Sequence, residues 1–415
     1  MKQILVYENW LRTAPTRIGT LFVEGARGKE VCSFEYDNEW LKHFGSFMLD
    51  PDLSLFKGRQ FVPVGKELFG IFEDSCPDRW GRTLMDRRES IIARSESRKP
   101  RKLMESDYLL GVHDMSRMGA LRFKANEDGP FLSDDSDMAA PPWVALRKLN
   151  DAVAAFESDT THSDKWLQML IAPGSSLGGA RPKANVIAPD GSLWIAKFPS
   201  KNDKINCGAW EKTVYELAEM CGLNVSESRL EKLSRYGSTF LVKRFDRESG
   251  RRIHFTSAMA LLGHTDGDDD CGYTEIASFI KSAGAAPKKD LLELWKRIVF
   301  NILVSNTDDH LRNHGFLLSE KGWTLSPLFD VNPNPYGEFL SLNISDNDST
   351  LSLELAQDVC ELYGLPAAKA KATITEMQKI VKANWRKTAT RNGISRNEQS
   401  FMESAFASKS YRGSL

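Results

Sequence analysis

Short apolar runs between turn residues fill the first half of this chain, and helical spacing takes over in the second. Residues 18–23 (IGTLFV) and 30–36 (EVCSFEY), bridged by 25–29, read as a β-hairpin. Residues 184–188 and 192–198 make another around Pro189-Asp190-Gly191. Apolar positions 146, 149, 153 and 156 form a helical stripe; Trp210, Val214, Leu217 and Cys221 form a second, stopped by Gly222. Residues 239–242 (TFLV) are a strand candidate, 291–304 is strongly apolar and periodic, and 366–386 reads as another helix with Ile374, Met377, Ile380, Val381 and Trp385. Residues 315–318 and 323–325, continuing through 328–329, read as two strands about the turn 320–322. Within 68–82 lie a helix cap and a Pro start, the basic 94–102 reads as an exposed loop, and 126–142, rich in Asp, Gly, Ser and Pro, reads as a linker. A strand-rich part followed by a helical one predicts an α+β chain of two lobes with a site in the cleft between them. The expected boundaries are 1–125, the linker 126–142, 143–248 and 249–415.

Composition narrows the function classes. The 415 residues are 41% hydrophobic and 27% charged with net charge −1, so bulk charge points to neither nucleic acid nor an anionic membrane. A meeting with DNA is expected through a partner. The six cysteines are scattered without a Cys-x-x-Cys pair, as reduced thiols of a cytoplasmic protein would be. No run approaches eighteen apolar residues and the first fifteen lack a signal peptide's apolar core, so no membrane association is expected.

The chemistry concentrates in Asn306-Thr307-Asp308-Asp309-His310-Leu311-Arg312-Asn313, with Asp330 seventeen residues further on. The strand pair between Asn313 and Asp330 brings these two to the base of one hairpin. Two oxygen ligands for a hard cation and one more carboxylate, Asp308, suit metal-dependent phosphoryl transfer. His310 could ligate a metal, act as a base or orient the loop; carboxylate and amide neighbours favour orientation. Gly178-Gly179, in a segment 174–184 that is not a Walker motif, lets backbone N–H groups approach a phosphate; Arg181 and Lys183 add positive charge. Lys197 shares a strand face with Leu193 and Ile195, a costly place for an ammonium without an anion. A nucleotide phosphate, Glu211 or Glu216 could supply that anion, or the side chain could reach water. Lys243-Arg244-Phe245-Asp246 follows a strand, where a two-lobed kinase has the hinge that meets adenine through backbone groups. Residues 266–270 (DGDDD) lack the Gly and closing Glu of a calcium loop and read as a solvated turn.

Taken together, these motifs resemble the HipA family, the kinase-like toxins of bacterial toxin–antitoxin pairs. Residues 69–87 echo its N-terminal subdomain, 175–183 its phosphate loop, 244–247 its hinge, 308–313 its Asp-x-His-x-x-Asn catalytic loop and Asp330 its metal aspartate. The resemblance implies a two-lobed protein serine/threonine kinase using ATP and Mg²⁺. Asp308 would be the base, and Asn313 and Asp330 the metal ligands. Gly178, Gly179, Ala180, Arg181, Lys183, Lys197, Lys243, Arg244, Phe245, His310 and Asn313 would surround the nucleotide. Ser176, with Ser175 beside it, would be autophosphorylated. Lys243 departs from members with Glu before Arg-Phe-Asp. The implied partners are a protein substrate, such as an aminoacyl-tRNA synthetase, and a DNA-binding antitoxin through which alone the chain meets DNA. A small-molecule phosphotransferase and an ATP-binding pseudokinase are the alternatives.

Overall fold

The structure, a computed structural model, describes residues 1–11, 14–26, 28–44, 48–134, 140–158, 170, 181–268 and 270–407. It mixes helix and sheet, as the α+β expectation requires. The chain forms two compact units. The first comprises Met1–Lys201, Lys243–Thr265 and Leu317–Glu320; the second comprises Asn202–Val242, Asp266–Phe316 and Lys321–Leu415.

The first unit opens with an antiparallel sheet of β1 (Lys2–Glu8), β2 (Thr16–Ala26), β3 (Lys29–Tyr36), β4 (Gln60–Phe61) and β5 (Arg122–Lys124), in the order β4-β3-β2-β1-β5. The expected 18–36 hairpin is its centre, in a register that pairs Leu21 with Phe34. β1 is an addition: its Ile4-Leu5-Val6 run lacks the alternation that marks a half-buried strand. Helix α1 (Arg79–Ser95) starts where the Asp78 carboxylate accepts the Gly81 N–H at 2.7 Å. The basic stretch after it is tethered rather than loose, since Arg98 and the Arg101 N–H both bond the Glu89 carboxylate. Helix α2 (Leu146–Glu157) sets Phe156 edge-on to Trp80. Strands β6 (Lys183–Ile187) and β7 (Leu193–Lys197) are the second expected hairpin, with Ile187 opposite Leu193 and Lys183 opposite Lys197. Its turn is closed by the Asp190 carboxylate on Ser192 and by Gly191 at φ +81°, which favours glycine.

The second unit carries α3 (Cys207–Met220), an antiparallel pair β8 (Ser228–Glu231) and β9 (Thr239–Lys243, ending at the unit boundary), α4 (Tyr273–Ala283), α5 (Pro287–Val304), the start of β10 (Gly315–Ser319, of which Leu317–Ser319 belong to the first unit), β11 (Gly322–Leu325) and α6 (Ala367–Arg391). α5 begins with Pro at its first position and buries Leu294, Trp295, Ile298, Val299, Phe300 and Ile302. Arg297, on the same helix and fully buried, donates to the Ser326 carbonyl at 2.6 Å, and Asp290 accepts the Leu325 N–H at 3.0 Å. The helix thereby holds the far end of β11. Trp210 and Trp385 stack on Phe406 from α3 and α6. All six cysteines are free thiols, and burial pushes those of Cys32 and Cys221 up to about 12, out of the reactive range. Among the described residues no helix is long and apolar enough to cross a membrane.

Charge is buried deeply in the first unit. Arg244 and Asp246, 4% and 0% exposed, pair through two parallel bonds of 2.8 and 2.6 Å; Arg247 and the Gly119 N–H add 2.6 and 2.7 Å contacts to the same carboxylate. Burial opposes ionisation of Asp246, but the Arg244 and Arg247 guanidiniums hold its carboxyl at about 2. A carboxyl lowered on folding adds stability above the ordinary range, and that share is lost as pH falls from about 4 toward the folded value. Removing the anion strands two guanidiniums, so Asp246→Asn should cost about 3–5 kcal/mol near neutral pH in urea unfolding. The difference from the parent should narrow in acid; a cost under about 1 kcal/mol would count against the pair.

Candidate active site

The catalytic-loop candidate begins where α5 ends. Asn306 N–H bonds the Asn301 carbonyl at 2.9 Å and Ser305 N–H bonds that of Ile302 at 3.3 Å, a helix stop of the Schellman kind. Ser305 takes the left-handed conformation, φ +50° and ψ +48°, that glycine usually fills. The reversal places Thr307 to Asn313 beyond the helix, with Asp308 exposed and Asp309 only 1% exposed. Two adjacent aspartates therefore have opposite surroundings.

Asp309 accepts three hydrogen bonds on one oxygen: from Tyr273 Oη at 2.5 Å, Asn301 Nδ2 at 2.8 Å and His314 Nε2 at 2.8 Å. Burial pushes against its charge, but the neighbouring His314, the His314 and Tyr273 bonds and His310 together hold the carboxyl below its ordinary value. Tyr273, also fully buried, is raised well above its ordinary value by burial and by the Asp309 charge, so it stays a donor. Asn301 carries the connection onward. Its Oδ1 accepts from Asn306 Nδ2 at 3.1 Å, and Asn306 Oδ1 accepts from the Asn332 N–H at 3.1 Å.

Asp330 lies between fixed points. The Ser326 N–H bonds the Gly315 carbonyl at 2.8 Å, closing the base between β10 and β11; the Leu328 N–H bonds the Asn224 carbonyl at 2.8 Å. After it come the Asn332 tie and Asn334, whose N–H and Nδ2 bond Ser305 O at 3.0 Å and Thr307 Oγ1 at 2.7 Å. Asp330 itself holds φ +57°, a conformation that costs a non-glycine residue about 1–3 kcal/mol and gathers at functional sites.

Asn313, 4% exposed, donates Nδ2 to the Asp308 carbonyl at 2.9 Å. A carbonyl only accepts, so the amide nitrogen must face it, and the amide oxygen points away from that carbonyl. The loop thus joins Asp308 to Asn313 directly and to the Asp330 segment through Asn306. Oxygen donors of this kind fit a hard divalent cation. His310 is half-buried, and its Nδ1 has no hydrogen-bond partner among the described residues.

The remaining candidates lie in the first unit. Lys183 and Lys197 are directly opposed across the β6–β7 hairpin, so their side chains share a face. Lys183 is 2% exposed and its Nζ meets Asp78 Oδ2 at 2.8 Å, while Trp80 Nε1 donates to the Lys183 carbonyl at 3.1 Å. Lys197 and Arg181 are half-buried. The Arg244 guanidinium is held by Asp246, Asn185 Oδ1, Ser116 O and Arg117 O, and its N–H bonds Leu193 O. Phe245 tilts against Phe255, and Lys243 is half-buried at the end of its strand. Ser175, Ser176, Gly178, Gly179 and Ala180 lie outside the described residues. In the second unit Glu216 is paired with Arg391 and Lys212.

Sequence reading missed Tyr273, Asn301, His314 and Asn332, and gave Asn306 and Asp309, within the stretch it singled out, no role of their own. One signal was available: Asn301 interrupts the apolar run Ile298-Val299-Phe300-Asn301-Ile302, and a buried amide must find partners. An amide oxygen takes at most two of the three donors on Asp309, so Asp309→Asn should cost about 1–3 kcal/mol in urea unfolding at neutral pH. Because the parent's carboxyl is lowered, the gap should close as pH falls below about 4; a gap independent of pH would rule out the anion's role. Asn306→Ala should remove hydrogen-exchange protection from the Asn332 amide, and retained protection would sever that link from the scheme.

Comparison with known proteins gives a consistent result. Residues 175–385 match the family described as the HipA-like C-terminal domain, and 10–123 match the HipA N-terminal domain. A putative kinase of Sinorhizobium fredii, Y4mE, is 29% identical over 182 residues, 38% of this chain and 41% of that protein. A second from the same organism, Y4dM, is 26% identical over 221 residues, 46% and 54%. The chain thus spans about half the length of these curated relatives. Among solved structures, HipA of a Shewanella oneidensis MR-1 toxin–antitoxin system, in complex with HipB and its operator DNA, superimposes with a TM-score of 0.67 at 18% identity, over 97% of this chain and 96% of that one. This is a likeness of fold.

Proposed function

We propose a function from a plain premise: the chain belongs to the HipA family. It is an ATP- and Mg²⁺-dependent protein serine/threonine kinase and the toxin of a toxin–antitoxin pair. What supports this reading above all is the linked set of exposed Asp308, amide-oriented Asn313 and left-handed Asp330. Asn313 and Asp330 hold Mg²⁺, which supplies charge neutralisation on phosphate oxygens when bound. Asp308 accepts a hydrogen bond from the substrate hydroxyl and aims its oxygen at the terminal phosphorus of ATP. As the new O–P bond forms, the bond from that phosphorus to the bridging oxygen breaks and ADP leaves; the hydroxyl proton passes to Asp308.

The other residues position and neutralise. Lys197 meets the phosphates, and Lys183, braced by Asp78, adds positive charge on the same strand face. The backbone of Gly178, Gly179 and Ala180, with Arg181, cradles the phosphates. The backbone at 243–245 flanks the adenine, and His310 orients the loop. Phosphate on Ser176, or on Ser175 beside it, carries about −1.5 to −2 charge; repulsion against ATP, or capture by Arg181 or a catalytic-loop cation, displaces the loop and switches the enzyme off. The target is a translation component such as an aminoacyl-tRNA synthetase. The enzyme works in the cytoplasm, and a DNA-binding antitoxin is its partner, as HipB is for the Shewanella protein.

The test is incubation of the purified chain, unphosphorylated at the start, with labelled ATP and Mg²⁺ beside Asp308→Gln, with phosphate mapped by mass spectrometry. Label on Ser175 or Ser176, falling about 10²–10⁴-fold in the variant, is the expected result. ATP binding with no transfer to itself or to lysate proteins would overturn the kinase reading.

A further inference from the structure

We propose that the segment 334–341, and in particular Tyr336, Glu338 and Phe339, is the docking ledge for the protein substrate. The ledge takes an extended stretch that sets a bulky apolar side chain against the two rings and a basic side chain against Glu338, beside the acceptor hydroxyl. The inference rests on the kinase reading above and adds to it the sequence class of the substrate.

The ledge stands next to the base. Gly337 packs so tightly on Thr307, the residue before Asp308, that a Cβ on it would lie 2.2 Å from the threonine methyl. The Thr307 carbonyl accepts from Ser341 N–H and Oγ at 3.1 and 2.8 Å, and Thr307 Oγ1 accepts from Asn334 Nδ2 at 2.7 Å. Both ends of the segment are therefore fastened to the catalytic loop. The middle is fastened elsewhere: Leu340 N–H bonds Ser349 O at 2.7 Å, Leu351 N–H bonds Glu338 O at 3.2 Å, and Ser404 Oγ bonds Pro335 O at 2.8 Å.

On this fixed backbone Tyr336 is 76% and Phe339 58% exposed, and Tyr336 meets the edge of Phe401, itself 46% exposed. Large rings held out to solvent by a well-bonded segment, rather than folded inward, mark an interaction surface. Charge selects the occupant. Residues 322–368 contain Asp330, Glu338, Asp346, Asp348, Glu354, Asp358 and Glu361 and no Lys, Arg or His. Glu338 is exposed between the two aromatic positions, so a basic side chain is its complement. An open ledge suits an extended peptide better than a small molecule, which needs enclosing walls.

The experiment uses the full chain, labelled ATP, Mg²⁺ and a positional-scanning library of peptides with a fixed Ser or Thr. The parent should favour a bulky apolar residue at one position flanking the acceptor and Lys or Arg at another. For the selected peptide, the Tyr336→Ala, Phe339→Ala double variant should raise KM at least about tenfold and flatten the apolar preference, with kcat changed less than about threefold. Glu338→Lys should exchange the basic preference for an acidic one, a gain that misfolding cannot produce. Unaltered KM and preferences in the variants would assign the exposed rings to some other partner and overturn the inference. A parent that labels itself but no library peptide overturns the docking ledge alone; a parent that transfers phosphate to nothing overturns the kinase reading with it.

Discussion

Asp309 takes hydrogen bonds from a tyrosine, an asparagine and a histidine on a single oxygen, in a place water does not reach. An unpaired carboxylate there would cost several kcal/mol, so the three donors and the anion stabilise one another only together. The arrangement fixes the turn after α5. Asp309 is drawn inward, and its neighbour Asp308 is left exposed. The same network passes through Asn301 and Asn306 to the backbone at Asn332, two residues past Asp330. Asp308 and Asp330 are thus referred to one frame, although twenty-two positions separate them in the chain.

The first unit uses buried charge in the same way. Arg244 and Asp246, together with Arg247, join the segment after β9 to the backbone at Ser116, Arg117 and Gly119. Asp78 does two tasks with its two oxygens: one caps α1 and the other meets Lys183 on the β6–β7 hairpin. A helix start in the N-terminal part of the chain thereby braces the hairpin that carries Lys197. The residues 1–125, which offered no chemistry of their own in the sequence, contribute through this support. Their charges are specific because a buried ion tolerates few partners.

Much was legible before the structure. The hairpins at 184–198 and 315–325 were visible because turn residues punctuate β-branched and aromatic runs, and α5 and α6 because apolar positions recur at helical spacing. The spacing from Asp308 to Asn313, with a hairpin before Asp330, pointed to the second unit's site. β1 was missed because a strand buried on both faces has no alternation to read. The segment 243–247, expected as the hinge, holds Arg244 in the interior, and that placement depends on Asn185, Ser116 and Arg117, all more than fifty residues away in the chain.

The sequence by itself determined which residue types are present and how local segments fold, since propensity, capping and periodicity act within a few residues. It thus supplied the strands, helices and the Asp-x-His-x-x-Asn loop. Only the tertiary structure decided which of two neighbouring aspartates is buried, that Lys183 meets the carboxylate of Asp78, and which aromatic rings stay in water. Those outcomes turn on desolvation and hydrogen-bond partners, and the partners come from residues distant in sequence, such as Tyr273 for Asp309 and Asp78 for Lys183.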